Sequence, residues 1–457
     1  MPNATDYDVL IIGGGQAGIP LAYKLAGEGR TVALAERKDL GGSCVNFGCS
    51  PTKAAIASAK VAFQARRGSE YGIEIPEVRV DFPAVLRRAR GVVETKRAGL
   101  DEGLEGSENP VLIRGHARLE GREDGGFRVT VGDRSLLAGQ VVLNTGTRTL
   151  VPPIDGLEAV DFIDAGDWMD REELPGHLII VGGSYIGLEM AQFYRRMGSD
   201  VTVVVGSSDH VTSGEDDDVS EAMRDVLAGE GVEFVFCERA RGVVPEADGL
   251  TLTLDGGDPA EVRATHLFLA TGRRPNTDDL GLENVGLQTD KRGFIGVDGR
   301  LATGVEGIWA AGDIRGGPMF THTSYDDHRV LLSQIAGDGS RTTDRVVPYA
   351  VFTDPELGRV GMTERAAREA GHEVEVHYLN MEEEKGKAFE LGENKGFIKV
   401  VSDANTDKVL GAAVLTSEGA ELVHIYEDLM NADLPLSVVR EAVYIHPTLA
   451  EDIQSAI

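Results

Sequence analysis

Apolar residues in this chain fall in short unbroken runs separated by glycine clusters. The first, Asp8-Val9-Leu10-Ile11-Ile12, has the β-rich pattern of a strand buried on both faces of a parallel sheet. Gly13-Gly14-Gly15-Gln16-Ala17-Gly18 follows, then a predicted helix over Ile19–Gly29, a strand over Thr31–Ala35, and Glu36 at that strand's end. The plan returns 169 residues later. Leu178–Val181 is the strand, Gly182-Gly183-Ser184-Tyr185-Ile186-Gly187 the turn, Leu188–Met197 the helix and Asp200–Val205 the returning strand. The offset places Gly182 on Gly13, Gly187 on Gly18 and Val205 on Glu36.

Between the repeats the pattern predicts a long helix from Phe82 to about Glu105. A small β section over Val111–Thr145 follows, with a hairpin turn at Gly121–Gly126. Past Gly272 lie turns over Asn276–Asp298, then the apolar approach Ile308-Trp309-Ala310-Ala311 to Gly312-Asp313. From about Val346 the pattern changes to alternating strands and two helices, read as a separate α/β domain. The expected fold is α/β, with two Rossmann-like dinucleotide-binding domains and a C-terminal α/β domain. The segments are 1–150, 151–275, 276–345 (returning to the first domain) and 346–457.

A length of 457 residues supports several cores, and a net charge of −30 changes the list of partners. Nucleic acid and anionic membrane surfaces are disfavoured, because phosphate binding requires clustered Lys and Arg. No run approaches the roughly 20 apolar residues of a membrane span, and Met1–Asp8 is too polar for a signal peptide. A cytoplasmic location is expected. The acidic runs Glu215-Asp216-Asp217-Asp218 and Glu382-Glu383-Glu384 lack ligand-like spacing and read as solvated loops or helix starts. The 58 glycines point to backbone lying close to ligands.

Each glycine turn, bracketed by strand and helix, lets backbone N–H groups approach a pyrophosphate at a helix N-terminus. Glu36 is placed to accept hydrogen bonds from a ribose diol. Val205 cannot, so the second site lacks the acid that would repel a 2′-phosphate, which favours NADPH over NADH. Ser207, Ser208 and His210 could contact that phosphate, although no Arg lies in Gly206–Val211.

Three cysteines are too few for a disulfide scaffold in so long a chain. Cys237 ends the apolar run Val232–Phe236 and reads as a buried structural thiol. Cys44 and Cys49 lie in Gly41-Gly42-Ser43-Cys44-Val45-Asn46-Phe47-Gly48-Cys49-Ser50-Pro51-Thr52-Lys53. A spacing of five does not align them on a regular helix, and Gly48 supplies the freedom to bend the segment. A helix start lowers a thiol pKa, and Lys53 lies one turn beyond Cys49. A redox-active dithiol is favoured over inert cysteines, and over zinc, which needs four ligands where no second Cys/His cluster is near. No metal site is expected.

Residues 41–53 closely resemble the redox segment of the FAD-dependent pyridine nucleotide–disulfide oxidoreductases, and the resemblance runs in order along essentially the whole chain. Gly13, Gly15, Gly18 and Glu36 match that family's FAD fingerprint. Thr145-Gly146-Thr147 and Thr271-Gly272-Arg273-Arg274-Pro275-Asn276 match its two Thr-Gly crossover segments. Thr303 through Gly312-Asp313 matches the second FAD motif, with Asp313 on the ribityl chain. His446-Pro447-Thr448-Leu449-Ala450-Glu451 matches the C-terminal motif. The resemblance implies a homodimer in which this His reaches the other subunit's disulfide. It implies hydride transfer from nicotinamide to flavin and then to a Cys44–Cys49 disulfide. Cys49 would stand beside the flavin, and Cys44 would exchange with substrate. Lys53 would pair with Glu189 near the flavin, and Tyr185 would cover the nicotinamide pocket formed with Gly182, Gly187, Val205 and Gly272. His446 would be the acid/base, oriented by Glu451.

Within the family, the chain lacks the C-terminal cysteine pair of mercuric reductases and keeps His446. Against dihydrolipoamide dehydrogenase it carries Val205, Ser184 and Tyr444 where an acid, a glycine and a histidine are usual. Against glutathione reductase the typical phosphate-site and substrate-site arginines are not evident. Phe320–Thr323, Asp326–Arg329 and Pro348–Glu356 resemble the mercuric-reductase-like branch, in which His322 would be a metal-access residue or a helix residue under the flavin. The expected enzyme passes electrons from NADPH or NADH to a small disulfide or a thiol-binding metal ion. Dihydrolipoamide dehydrogenase is the alternative, and a non-enzymatic flavin sensor is the alternative of another class.

Overall fold

A computed structural model of the chain describes residues 5–457; residues 1–4, the start of the polar Met1–Asp8 stretch and of the 1–150 segment, lie outside it. Strand β1 (Tyr7–Ile12), helix α1 (Gly18–Gly27) and strand β2 (Val32–Glu36) form the opening unit. The broken helical stretch α2 (Gly42–Asn46) and α3 (Cys49–Arg66) follows, then the long helix α4 (Phe82–Leu104). Strands β3 (Val111–Arg114), β4 (Ala117–Glu123), β5 (Gly126–Val131) and β6 (Arg134–Leu143) complete the sheet in the order β3-β2-β1-β6-β5-β4, with Ile308–Ala310 added beside β6. The small β section expected over Val111–Thr145 is thus continuous with the first sheet. Val9 to Ile12 are buried because α1 and α7 (Thr321–Ala336) cover one face, while side chains from the β4–β5 end of the sheet and from Leu280, Leu282 and Ile295 cover the other, which is why this strand is apolar without alternation.

Strand β7 (Thr147–Thr149) pairs antiparallel with Arg273–Pro275, so the two Thr-Gly segments make one crossover ribbon. Beyond it, β8 (Ile163–Asp164), β9 (His177–Val181), α5 (Tyr185–Met197), β10 (Asp200–Gly206), α6 (Asp217–Gly229) and β11 (Val232–Cys237) build the second unit. Its sheet is parallel throughout, ordered β11-β10-β9, then His266–Leu269, then β8. Cys237 is buried there, as expected. Helix α7 (Thr321–Ala336) returns to the first unit and packs on α1.

The C-terminal part is a five-stranded antiparallel sheet with six short helical segments where two helices were expected. Each spans four to eight residues, too short for an apolar stripe to repeat, so periodicity does not reveal them. Val351, Leu357, Phe397, Ala413 and Leu415 of this sheet share one core with Ala55 and Ala59 of α3, Leu86 of α4 and Phe193 of α5. Both helices that carry the redox segment's neighbours are thus held between the second unit and the C-terminal sheet.

One sequence reading is overturned. Asp217 does begin α6, and Glu382 and Glu383 are exposed in a turn, but Glu215 is only 5% exposed. It pairs with Arg359 (Nε–Oε2 2.7 Å) and accepts a hydrogen bond from the Tyr349 hydroxyl. Asp216 accepts the backbone N–H groups of Glu364 (2.8 Å) and Arg365 (3.1 Å) and faces Lys399 Nζ at 3.2 Å. An acidic run in isolation reads as solvated; here its counter-charges arrive from the C-terminal sheet and dock that sheet onto α6.

Candidate active site

The two glycine turns have the same internal geometry. Gly13 N–H donates to Ala35 O at 2.8 Å, and Gly182 N–H donates to Val204 O at 2.9 Å. Both glycines have positive φ, +112° and +125°, and a Cβ on either would lie 2.2 or 2.3 Å from a carbonyl oxygen of the neighbouring strand, Asn144 or Ala270. A Cβ on Gly18 or Gly187 would lie 2.1 or 1.9 Å from the first glycine's oxygen, so these residues let helix and strand touch. Neither α1 nor α5 carries a side-chain cap, so no side chain occupies the helix start where an anion would sit. The turns differ at one place. Glu36 accepts Gly14 N–H at 2.7 Å and Lys38 N–H at 2.8 Å, whereas Val205 is buried against Gly183.

Both turns open into one continuous cavity of about 2300 Å³, and its wall also holds Cys44, Cys49, Lys53, Thr145, Gly146, Gly272, Asp313 and Tyr185. The α2–α3 break falls at Phe47 and Gly48; a Cβ at Gly48 would lie 2.9 Å from Ser43 O, so the tight fold-back requires the glycine. It puts Cys49 at the start of α3 with Cys44 hydrogen-bonded to it. The shared hydrogen bond from Cys44, the Thr321 hydroxyl (3.1 Å from Cys49 Sγ) and the nearby Lys53 charge together overcome burial and hold the Cys49 thiol down at about 6. The same bond, with burial, pushes the Cys44 thiol well up. At neutral pH the pair is therefore a Cys49 thiolate beside a Cys44 thiol.

Lys53 Nζ reaches both oxygens of Glu189, at 3.0 and 2.8 Å. Glu189 also accepts the backbone N–H of Phe352 at 2.9 Å, and the Phe352 ring lies 4.4 Å from Lys53 Nζ. The carboxylate thus ties α3, α5 and the C-terminal sheet together at the cavity wall. Asp313 lies 3.1 Å from the Thr147 hydroxyl and 3.4 Å from that of Ser324. Tyr185, at the cavity wall, is 5.9 Å from Phe320 and 6.1 Å from Tyr349, and Phe320 stacks between Tyr349 and His322. His322 Nε2 is 2.6 Å from Pro348 O, and burial lowers its pKa. Among the described residues no group of three or more His, Cys, Asp or Glu side chains is arranged to hold a metal ion.

His446 and Glu451 do not join the cavity of their own chain. They meet each other, with Nδ1 3.1 Å from Oε2, and Glu451 also caps its helix by accepting Thr448 N–H at 3.0 Å. His446 stands in the open, just after the apolar Val443 and Ile445, which are 99% and 78% exposed. Sequence reasoning missed Thr321, Phe352 and the Glu215–Arg359–Tyr349 cluster. Thr321 lies in a stretch singled out for its resemblance, but its contact with Cys49 spans 272 residues and leaves no local signal.

Residues 7–327 match the family described as pyridine nucleotide-disulphide oxidoreductase, and residues 347–457 match that family's dimerisation domain. The chain belongs to this family. It is 33% identical to the probable pyridine nucleotide-disulfide oxidoreductase RclA of Escherichia coli, over 98% of both chains. A mercuric reductase of Streptomyces lividans and a dihydrolipoyl dehydrogenase of Haloferax volcanii are each 34% identical, over 99% of this chain and 96% of theirs. The solved Cu(II) complex of the HOCl-induced flavoprotein disulfide reductase RclA from E. coli superposes with a TM-score of 0.89 at 32% identity, covering 99% of each chain.

Membership makes the protein an oxidoreductase of the flavoprotein disulfide reductase type that uses FAD and NAD(P)H, with a homodimeric assembly carried by the C-terminal domain. Among the described residues no helix is long and apolar enough to cross a membrane. The chain's own residues fit FAD. The first turn has no Cβ at Gly13, Gly14 or Gly15, where a pyrophosphate would approach, Glu36 at the end of β2 would accept from a ribose, and Asp313, Lys53 and Cys49 line the same cavity.

Proposed function

We propose that the protein is an NADPH-preferring disulfide reductase that works through Cys44 and Cys49 on a small disulfide or a thiol-binding metal ion. The observation that carries this reading is the placement of Cys44 and Cys49, the latter at the start of α3 and 3.1 Å from the Thr321 hydroxyl, at the wall of the cavity that both dinucleotide turns share. Bound FAD would supply the two-electron relay between nicotinamide and the cysteine pair. Tyr185, whose ring is exposed at the cavity wall, is the residue that yields to an entering nicotinamide. Lys53, fixed by Glu189, places a positive charge beside Cys49 and favours its thiolate.

Cys44 is the exchange thiol. Its raised pKa means that attack on a substrate sulfur needs a base, a role assigned to His446 of the partner subunit because His446 lies outside its own chain's cavity. The Cys44 sulfur bonds one substrate sulfur and expels the other as a thiol, which takes its proton from the imidazolium. The Cys49 thiolate then attacks Cys44, expels the second substrate sulfur as a thiolate that takes a proton from solvent, and closes the Cys44–Cys49 disulfide. A metal ion would instead be taken by the two thiolates; Hg(II) accepts both electrons, and Cu(II) one per ion. The mercuric reductase relative and the Cu(II) complex of RclA support that class. Dihydrolipoamide oxidation is the second reading, supported by the Haloferax relative.

The test is NADPH oxidation by the purified holoenzyme against a panel of lipoamide, oxidised glutathione, oxidised coenzyme A, Hg(II) and Cu(II). Cys44→Ser is expected to lower turnover with the best acceptor by at least about a thousandfold, with flavin content unchanged. Undiminished turnover in this variant overturns the exchange role of Cys44.

A further inference from the structure

The second unit holds an arginine that the chain order hides from its glycine turn. β10 and β11 run parallel and pair in register up to Gly206 and Cys237, so their C-terminal ends lie side by side. That is the edge at which a doubly wound sheet receives its ligand. Ser207 fastens the loop after β10 to the chain leaving β11: its N–H donates to Cys237 O and Glu238 O, each at 3.0 Å, and its hydroxyl to Glu238 O at 3.1 Å. The next residue is Arg239. A Cβ on Gly206 would lie 3.7 Å from the Arg239 Cα, an ordinary contact distance, so the two strand ends run side by side at this point. Arg239 lines the same cavity as Val205, Gly206, Ser207 and Ser208. Its side chain is 72% exposed and anchored through Nε to Asp255 Oδ2 at 2.9 Å.

The side chain at the end of the second strand differs between the units. In the first unit the carboxylate of Glu36 stands at the end of the second strand and faces the cavity. Here the equivalent position is an apolar valine, and a guanidinium stands just beyond it. An arginine held by Nε keeps both terminal nitrogens for a planar, two-pronged contact, the geometry suited to a phosphate monoester. We infer that Arg239 grips the 2′-phosphate of the adenine dinucleotide and is the main determinant of NADPH over NADH. Ser208 and the Ser207 loop form the floor beside it. This assignment rests on the NADPH preference proposed above.

The experiment compares wild-type holoenzyme with Arg239→Ala and Arg239→Lys. It measures kcat and KM with NADPH and with NADH, and the affinity for adenosine 2′-monophosphate as a competitive ligand. Arg239→Ala is expected to raise the NADPH KM by about ten- to a hundredfold, the range of a lost hydrogen bond to a charged group. The adenosine 2′-monophosphate affinity should weaken by a similar factor, with kcat and the NADH KM held within about twofold. Arg239→Lys should recover part of the loss. If the wild type prefers NADPH and Arg239→Ala keeps the same NADPH/NADH ratio, the arginine assignment is overturned and the cofactor preference stands. Equal losses with both nucleotides also overturn it, by showing that Arg239 holds the strand edge. A wild type that prefers NADH overturns the preference itself and the assignment with it.

Discussion

The two glycine-turn units share a backbone to within a tenth of an ångström in their first hydrogen bond, yet the second strand ends in a carboxylate in one and a buried valine in the other. In the first unit Glu36 collects two backbone N–H groups and fixes the turn's far side. In the second, that side is filled by Val205 against Gly183, and polar groups come from farther along, at Ser207 and from the neighbouring strand. The turn, whose geometry suits a pyrophosphate, is thus separable from the strand end, whose side chain would tell one dinucleotide from another. Backbone dictates the former, and side-chain charge the latter.

The strongest way to break the comparison is to block each turn in the same manner. Gly13→Ala and Gly182→Ala each force a Cβ into a carbonyl oxygen at a positive φ, and each should cost about 3 kcal/mol or more locally. Their consequences should diverge. Gly13→Ala is expected to yield protein without flavin and with a lowered Tm, read by visible absorbance and calorimetry. Gly182→Ala should keep its flavin and lose NADPH-linked turnover by more than about a hundredfold. Equal flavin loss in both would remove the division of labour between the units.

Exchanging the strand ends is a gentler test. Glu36→Gln keeps the size but weakens the acceptor for Gly14 and Lys38, and is expected to weaken FAD retention by about tenfold, measured by flavin release on dilution. Val205→Glu puts an acid where the second unit has none and should shift the kcat/KM ratio towards NADH. Because Val205 is buried, this variant should also lose about 1–3 kcal/mol of stability in denaturant titration.

The smallest effect concerns the thiols at the wall of the shared cavity. With the pair reduced, Cys49 is held at about 6, so its alkylation rate by iodoacetamide should be flat above that value and fall as pH drops through it, as the thiolate takes up a proton. Thr321→Val removes one of the hydrogen bonds that lower this pKa and should move the midpoint upward by less than about one pH unit. A midpoint near the ordinary thiol value in the wild type would show that Cys44 and Thr321 do not stabilise the Cys49 thiolate.

Much of the fold is legible along the chain because its signals are local. A β-rich run, a glycine turn and an apolar helix name each unit, and the 169-residue offset maps one on the other to the residue. Phe82 to about Glu105 is read nearly to its observed end at Leu104. The short helices of the C-terminal part escape the same method, since four residues hold no period. Within the site, the cysteine pair and Lys53 lie inside thirteen consecutive residues and declare themselves. Thr321 and Phe352 act on that segment from hundreds of residues away, one through its hydroxyl at Cys49 and the other through its ring over Lys53, neither of which has a distinctive pattern.

Charge marks the boundary between the two kinds of information. Glu215 and Asp216 look solvated in sequence because their cations, Arg359 and Lys399, lie far along the chain; folding brings the charges together and buries them. Arg239 lies outside the loop in which an arginine was sought, and parallel pairing of β10 with β11 carries it to the edge of that loop. By itself the sequence determined the repeated turns, the redox segment and the family, all of which depend on neighbours a few residues apart. Which charges are buried, which hydroxyl faces Cys49 and which arginine stands beyond Val205 were decided only by tertiary structure, because electrostatic and hydrogen-bond partners are chosen by distance in space and not along the chain.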